Sequence, residues 1–286
     1  PHPSLFSPEY PAPVGARHMT SMLNRDIFRG LMSQVFPGRT PACSNGVIPT
    51  YMFRGIHPVT GKRYVSMECI AGGGGGRPSN DGLDGLSPNP NLTIAPVEFL
   101  EATFPFLIDE TTLRRDTGGP GKYRGGVGFI RTIQIVAPEA FISWMDDRQT
   151  HPAWGLFGGQ PGTPGDAYLL REGRTYRLPT KYDNLLLQQG DRIVVRTGGG
   201  GGYGPPWERD PAWVGRDVRR GFVSAGQAEE RYGVVLSDGE LDETATAKRR
   251  CALGRQHPVD WIDRGTTRWA PPPGQLVEVD GIPEVA

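Results

Sequence analysis

Apolar residues recur at helical spacing near the start of the chain. They occupy six positions between residues 17 and 35, namely Met19, Met22, Leu23, Ile27, Leu31 and Val35. This spacing places them along one face of a helix. Proline-rich sequence precedes the segment and PGRTP follows it, so the pattern predicts an amphipathic helix over residues 17–35.

Short apolar runs with two-residue alternation dominate the next part of the chain. VIPTYMFRG and RYVSMECI are joined by HPVTGK, which predicts a hairpin between residues 47 and 70. We expect further strands in FPFLIDETTLRR, GVGFIRTIQIV and AFISWMDD, and a hairpin in DAYLLREGRTYRLP. Another strand pair is expected in LLLQQGDRIVVRT, with QQGD as its turn.

Helical signals replace the strand pattern after Pro206. DPAWVGRDVRRGFVS begins with an Asp N-cap and a proline, SAGQAEERYG ends on a capping glycine, and LDETATAKRRCAL predicts a third helix. We therefore predict an α+β, mainly β fold with antiparallel or mixed sheets, Gly-rich loops and peripheral C-terminal helices. The expected organisation is a β body with one N-terminal helix over 1–206, a helical segment over 207–253 and an extended tail over 254–286.

Two runs of five glycines interrupt this pattern, in AGGGGGRPSNDGLDG at 71–85 and in RTGGGGGYGPP at 196–206. Each follows a predicted strand. Neither has the lysine of a phosphate-binding loop or the helix start of a dinucleotide-binding turn, and the polar residues behind them are too specific for a linker. Two interpretations stay open: packed chain crossings, or a substrate-contacting loop where side chains would be in the way. We expect both runs to be ordered.

Charge and composition exclude several classes of protein. The 31 basic and 31 acidic residues cancel, so bulk charge does not recruit nucleic acid or an anionic membrane. No apolar run reaches the about 18 residues of a membrane span, and PHPSLFSPEY does not resemble a signal peptide. We expect a cytoplasmic protein with no nucleic-acid or membrane partner. Because the chain does not begin with Met, we interpret it as the continuation of something longer.

The cysteines and histidines show no metal-binding pattern. Cys43, Cys69 and Cys251 are far apart and lack C-x-x-C spacing, which predicts structural thiols. The histidines have no carboxylate nearby in a ligand pattern, so no metal site is predicted in this chain. They are His2, His18, His57, His151 and His257.

The strongest candidate site is the polar stretch RPSNDGLDG behind the first glycine run. An arginine there can fork onto an anion, and a carboxylate can orient water or an amide N–H. We predict Arg77 and Asp81 as catalytic residues and Asn80 and Asp84 as substrate-binding residues. The alternative is a turn in which these side chains bind their own backbone.

A second polar cluster is the stretch WMDDRQTHPAWG. Asp146, Asp147, Arg148 and His151 could supply a general base or an interface ion pair. We predict Asp147 and His151 as substrate-binding residues.

Asp116 and Arg124 lie among glycines in RRDTGGPGKYRGG. A buried ion pair between them that holds the loop is the favoured interpretation, and catalysis is the alternative.

Six stretches in one order carry a family resemblance. They are AGGGGGRPSNDGLDG, IAPVEFLEATFPFLI, LRRDTGGPGKYRGGVGFIRTIQI, HPAWGLFGGQPGTPG, GDRIVVRTGGGGGYGPPWERDP and RDVRRGFVSAGQAEERYGVVL. Together they resemble the C-terminal half of the hydantoinase B/oxoprolinase family from about residue 11 to residue 253.

The resemblance implies an ATP-dependent hydrolase of cyclic amides such as hydantoins, 5-oxoproline or lactams. A hydantoinase A-type subunit would bind nucleotide and phosphorylate a substrate oxygen, and the B-type subunit would complete the reaction on a small-molecule substrate. A ketone carboxylase of the acetone or acetophenone type, or a non-catalytic scaffold chain of such a complex, is the alternative.

B-type chains are about twice as long, and the resemblance implies a divalent-metal site in their N-terminal half, which nothing here matches. We therefore expect ATP and a divalent metal, Mg, Mn or Zn, to bind mainly outside this chain. The isolated chain is expected to be inactive without the A-type subunit and the N-terminal half of the B-type subunit.

Overall fold

The computed structural model of the chain describes residues 3–4, 7–12, 17–46, 49–86, 94–256 and 259–283. Within these residues the helices are α1 Arg17–Val35, α2 Val97–Thr103, α3 Pro211–Arg219, α4 Ala225–Tyr232 and α5 Glu243–Gln256, with a 3-10 turn at Pro206–Glu208. None of the helices in this part of the chain has the length and apolar character needed to cross a membrane.

The strands form two larger sheets and two short pairs, and every recorded pairing between strands is antiparallel. The strands are β1 Thr50–Ile56, β2 Arg63–Cys69, β3 Phe106–Arg114, β4 Gly128–Ile135, β5 Glu139–Met145, β6 Gly155–Leu156, β7 Asp166–Arg171, β8 Arg174–Arg177, β9 Lys181–Gln188, β10 Arg192–Arg196, β11 Leu236–Ser237, β12 Glu240–Leu241, β13 Ile262–Asp263 and β14 Val277–Val279. The four-stranded sheet has the order β2-β1-β5-β9, and the six-stranded sheet has the order β14-β8-β7-β10-β4-β3.

The two larger sheets share one apolar core. Phe53 of β1 contacts Phe106 of β3 with ring centroids 5.4 Å apart, and Tyr51 stacks on Trp144 of β5 within the four-stranded sheet. Burial alternates along β5, as expected for a strand with one face on a core. The main body is therefore a pair of packed antiparallel sheets.

Most predicted elements are present. Helix α1, the hairpin β1–β2, strands β3 to β5, the hairpin β7–β8 and helices α3 to α5 are confirmed, and the α+β, mainly β class is confirmed with them. Residues 47 and 48, at the predicted start of the first strand, lie outside the described residues, as do His2 and His257.

Three details differ from the prediction. The QQGD turn joins β9 and β10, but these strands lie in different sheets, β9 beside β5 and β10 between β4 and β7. Helix α2 was missed because it has only seven residues, too few for a helical repeat. The tail is not wholly extended coil, since β13 pairs with β6 and β14 with β8. The boundaries of the predicted domains stay predictions.

Both glycine runs are ordered and packed against each other. Gly73 N donates to Gly198 O at 2.9 Å, and Gly76 N donates to Gly201 O at 2.8 Å. The segments 42–45, 117–126 and 153–163 surround the two runs and exchange backbone hydrogen bonds with them. We call the segments 42–45, 72–76, 117–126, 153–163 and 198–204 the glycine bundle.

Hydrogen bonding in the glycine bundle repeats every third residue. Gly199 and Gly202 donate to Thr163 and Gln160, while the intervening Gly200 donates to Gly126. Successive residues of one run thus bind different neighbouring segments. A period of three residues is that of a polyproline II-type helix, which makes no internal hydrogen bonds and turns all its N–H groups outward.

Glycine is required in the bundle because the backbones approach too closely for side chains. A Cβ on Gly73 would overlap the carbonyl oxygen of Gly126, and one on Gly200 would overlap that of Gly74. The chain-crossing interpretation of the glycine runs therefore describes their packing.

Helix α1 does not bury the face that its apolar spacing predicts. Met19 and Met22 are buried, but Ile27, Leu31 and Val35 are exposed, and Asp26 is buried instead.

Candidate functional site

The loop behind the first glycine run is closed by its own arginine. Arg77 donates through Nε and a terminal nitrogen to the carbonyl oxygen of Asp81, at 3.1 and 2.9 Å. Asn80 is exposed, and its amide contacts Ser79 Oγ at 3.0 Å. The four predicted site residues of this stretch therefore do lie together, as a compact turn.

Asp81 and Asp84 are held by arginines from elsewhere in the chain. Arg209 binds both carboxylate oxygens of Asp81, at 2.6 and 2.7 Å, and Arg124 binds both oxygens of Asp84, at 2.7 and 3.1 Å. Asp81 Oδ1 also accepts from the backbone N–H of Arg124 at 2.9 Å. Paired hydrogen bonds between guanidinium and carboxylate fix both partners in direction as well as in distance.

Asp217 of α3 joins the two ion pairs into one network. Its Oδ2 lies 2.7 Å from Arg209 and 3.4 Å from Arg124 Nε. Burial alone would lower the pKa of Arg209, but the hydrogen bonds and charge of Asp81, with further help from Asp217, raise it. We call Asp81, Asp84, Arg124, Arg209 and Asp217 the arginine–aspartate network. It ties the loop at 77–84 to the bundle and to α3.

Sequence patterns did not reveal Arg209 and Asp217. They lie eight residues apart, and 128 residues separate Arg209 from Asp81. The proline-flanked stretch GPPWERDP offers no spacing signal for such a contact.

The expected ion pair between Asp116 and Arg124 is not formed. Arg124 turns to Asp84 and Asp217, whereas Asp116 Oδ1 accepts from the backbone N–H of Ser224 at 2.7 Å, ahead of α4. The prediction failed because better-placed carboxylates reach Arg124.

The stretch around Asp146 divides between interior and surface. Asp147 pairs with Lys181 at 3.2 Å, His151 is exposed, and Arg148 turns inward to Asp26 at 3.2 Å. Asp146 is fully buried, and burial raises its pKa to about 7. The structure therefore does not bring Asp147 and His151 into one cluster with the loop at 77–84.

A polar cavity of about 390 Å³ lies where the bundle meets α4 and the C-terminal tail. Its charged and amide side chains are Asp116, Gln160, Gln227, Arg231 and Asp263. Carboxylates accept from N–H groups, while guanidinium and amide groups donate to carbonyl oxygens. This combination suits a small molecule that carries both amide N–H and C=O groups. None of the six predicted site residues lines the cavity.

Seven N–H groups of the two glycine runs are occupied by hydrogen bonds to the backbone. The N–H groups of Gly73, Gly74 and Gly76 donate to backbone carbonyls, and so do those of residues 199–202. A phosphate-binding loop needs such N–H groups free to face the ligand. No group of three or more His, Cys, Asp or Glu side chains suited to a metal ion occurs among the described residues.

Comparison with known proteins gives one consistent family. A family model described as hydantoinase B/oxoprolinase matches residues 1–206. An uncharacterized protein of Methanocaldococcus jannaschii is 35% identical over 256 residues, which cover 87% of this chain and 44% of that protein. The B-type subunit of a putative D-/L-hydantoinase of Pseudomonas sp. is 32% identical over 244 residues, with 84% of this chain and 40% of that protein covered.

Solved structures resemble the fold over most of its length. ATP-dependent caprolactamase from Pseudomonas jessenii matches with a TM-score of 0.65 and 27% identity, covering 77% of this chain and 40% of the enzyme chain. A nucleotide-free acetone carboxylase matches with a TM-score of 0.66 over 80% of this chain and 35% of that one, and its 22% identity supports the fold alone. The chain spans about two fifths of the length of the curated relatives described above.

Proposed function

This chain belongs to the hydantoinase B/oxoprolinase family, and we propose that it is the C-terminal part of a hydantoinase B-type subunit of an ATP-dependent cyclic-amide hydrolase. The observation that carries the proposal is the family match over residues 1–206. The similarity to the Pseudomonas hydantoinase protein over 84% of this chain supports it.

The proposed reaction divides between subunits. An unstrained amide is a poor electrophile. Phosphorylation of its oxygen makes the carbonyl carbon more susceptible to nucleophilic attack by water. We propose that a nucleotide-binding A-type subunit supplies this phosphorylation, and that ATP and a divalent metal, Mg, Mn or Zn, bind mainly outside this chain. The backbone hydrogen bonds that occupy the glycine runs support this division.

The polar cavity is the contribution that we propose for this chain. Asp116 and Asp263 would accept from the ring N–H groups of the substrate, and Arg231 would donate to a ring carbonyl. A volume of about 390 Å³ is within the range of small-molecule sites. The chain would therefore orient a cyclic amide whose activation takes place on a neighbouring subunit.

The loop at 77–84 is the second proposed contribution. A catalytic role for Arg77 and Asp81 predicts that Arg77→Ala and Asp81→Asn lower turnover at least about tenfold, or 1.4 kcal/mol, with assembly intact. A structural role predicts early melting and normal turnover of whatever assembles. The contacts of Arg209 with both oxygens of Asp81 favour the structural outcome. Light scattering beside steady-state kinetics separates the two.

Asn80, Asp84, Asp147 and His151 stay proposals as substrate-binding residues. Asp84 is engaged by Arg124 and Asp147 by Lys181, so a role in binding would require these contacts to open. Asn80 and His151 are exposed. Their single alanine variants should raise KM if the role is correct and leave it unchanged if it is not.

A ketone carboxylase is the second candidate function. The acetone carboxylase alpha subunit of Xanthobacter autotrophicus is 29% identical over 231 residues. The beta chain of caprolactamase is 32% identical over 206 residues, which favours a hydrolase. Incorporation of labelled bicarbonate into a ketone, without amide hydrolysis, would decide for the carboxylase.

Reconstitution tests the proposal directly. The chain is combined with an A-type subunit and the remaining part of a B-type polypeptide, and ATP hydrolysis coupled to opening of hydantoin, 5-oxoproline or caprolactam is measured. We expect coupled activity only in the full mixture, and no nucleotide binding by the chain alone in calorimetry. Micromolar ATP affinity of the isolated chain would overturn the division of labour.

A cavity variant separates catalysis from scaffolding. Arg231→Ala should raise KM for the cyclic amide at least about tenfold, while Arg220→Ala, an exposed arginine outside the cavity, should leave it unchanged. Unchanged kinetics in both variants would support a non-catalytic scaffold instead.

A further inference from the structure

Helix α1 exposes several large apolar side chains to solvent. Ile27, Phe28, Leu31 and Val35 are 57% to 65% exposed, and Phe36, just beyond the helix, is 46% exposed. Ile27, Phe28, Leu31 and Val35 fall within about 100° of one another around the helix axis, so they lie along one side of it. We call these five residues the α1 stripe.

The orientation of α1 is fixed by the polar side that it buries. Asp26 is 1% exposed and lies 3.2 Å from Arg148, 3.4 Å from Cys43 Sγ and 3.3 Å from Ser44 Oγ. Rotating the helix to bury the stripe would break these contacts and expose a carboxylate that the fold has already paired. The outward direction of the stripe is therefore a stable property of this fold.

A large exposed apolar side of a helix marks an interaction surface for a protein, a membrane or a ligand. We propose that the α1 stripe is the docking surface for that part of a B-type polypeptide which lies outside the region this chain covers. The inference rests on the proposed function, because that function supplies the occupant. The same contact applies whether the occupant is part of the same polypeptide or a separate subunit.

The lengths of the relatives point to this occupant. The match covers 44% of the Methanocaldococcus relative and 40% of the Pseudomonas hydantoinase relative, so more than half of each lies outside it. The α1 stripe lies inside the region that the family model matches. In these relatives, a body of protein larger than the region matched to this chain is available to contact the segment that corresponds to α1.

A second copy of the chain fits the stripe less well. A symmetric pair of helices would bury five stripe residues on each side, whereas a standard interface uses about 20 to 30 residues a side. A larger body with a groove can cover the helix on more than one side.

The test compares the chain alone with a graft. In the graft, this chain replaces the matched region of the full-length Pseudomonas hydantoinase protein. Leu31→Cys is introduced in a Cys251→Ser background, because Cys251 is the exposed native cysteine among the described residues, and thiol labelling rates are measured. Val59→Cys is the matched control, since Val59 is 86% exposed in the β1–β2 turn.

We expect the labelling rate at position 31 to fall at least tenfold in the graft and the rate at position 59 to stay unchanged. Leu31→Glu should lower the melting temperature of the graft and not that of the chain alone, while Val59→Glu should change neither. Equal labelling at position 31 in chain and graft would overturn the proposal. So would protection in the chain alone that increases with concentration, which would assign the stripe to a second copy.

This experiment and the test of function fail separately. Protection of position 31 in a graft that shows no ATP-dependent amide hydrolysis with an A-type subunit would leave the docking surface standing and overturn the function. Coupled hydrolysis by a graft in which position 31 is labelled as fast as in the chain alone would support the function and overturn the docking surface.

Discussion

At Gly73 a single hydrogen atom in place of a methyl group allows three chain segments to meet. A Cβ there would overlap the Gly126 carbonyl, whereas a Cβ on neighbouring Gly74 would lie 3.1 Å from Leu83 N. We predict that Gly73→Ala lowers the free energy of unfolding by about 3 kcal/mol or more, and Gly74→Ala by about 1 kcal/mol. Urea unfolding of the two variants measures these changes in the free energy of unfolding. Equal losses in the two variants would show that close packing is not what excludes side chains.

Asp146 makes the free energy of unfolding depend on pH. Its carboxyl ionises near pH 3.9 in the unfolded chain, but burial raises its pKa in the folded chain to about 7. Between these values the unfolded chain holds fewer protons, so the contribution of Asp146 to stability falls as pH rises from 4 to 7 and stays low above 7.

Asp146→Asn should remove this slope and stabilise the protein at pH 7.5 by an amount on the order of a few kcal/mol. The side chains have the same shape, so packing is preserved. Urea titrations of both proteins at pH 4.5, 6 and 7.5 give the comparison. If the difference in free energy of unfolding between the two proteins were the same at all three pH values, Asp146 would be ionised in the folded protein.

Helix α3 is held at its start by a local cap and at its end by the arginine–aspartate network. Asp210 Oδ1 accepts from Ala212 N at 2.9 Å, and Pro211 occupies the first turn. Asp210→Ala should cost about 1 kcal/mol of stability. Its control is Asp280→Ala, an exposed aspartate in the C-terminal tail, which should be within about 0.5 kcal/mol of the wild type.

Elements with local signals were predictable, and contacts distant in sequence were not. The caps of α3 and α4 lie within a few residues of what they cap, so Asp210 and Gly233 revealed both helices. The turn after β9 was equally visible, but the partner of β9 depends on pairing with β5, which lies far earlier in the chain.

The candidate site shows the same division between local and distant information. Sequence brought Arg77, Asn80, Asp81 and Asp84 together because they share one turn. It could not show that Arg209 reaches Asp81, since that contact crosses 128 residues. It also could not show the outward apolar side of α1, which is decided by the contact of Asp26 with Arg148 and not by the helix's own periodicity.

The glycine bundle connects the two larger sheets and helix α3. One run continues from β2 of the four-stranded sheet and the other from β10 of the six-stranded sheet, while the network joins the loop beyond the first run to α3. A substitution that disrupts the bundle should therefore destabilise both larger sheets and α3.

Gly200→Ala should raise amide hydrogen exchange in β1, β4 and α3 together, because its Cβ would overlap the Gly74 carbonyl where the two runs cross. Gly226→Ala, in α4 with only Ser224 Oγ at 3.9 Å, should leave exchange in the sheets unchanged. Exchange mass spectrometry resolves the regions. Faster exchange confined to residues near 200 would show that the bundle is a local feature.

Because of the three-residue repeat of the bundle, the position of each glycine in its run determines which neighbouring segment its N–H group faces. Gly199 and Gly202 donate to the segment 153–163, whereas Gly200 donates to the segment 117–126. Deleting one glycine would therefore turn each later N–H group toward the wrong segment. Deleting three would restore the direction of every donor and only shorten the contact. The length of each run is thus constrained in steps of three residues, and a chain of glycines, which carries no side-chain information, still encodes its partners through counting alone.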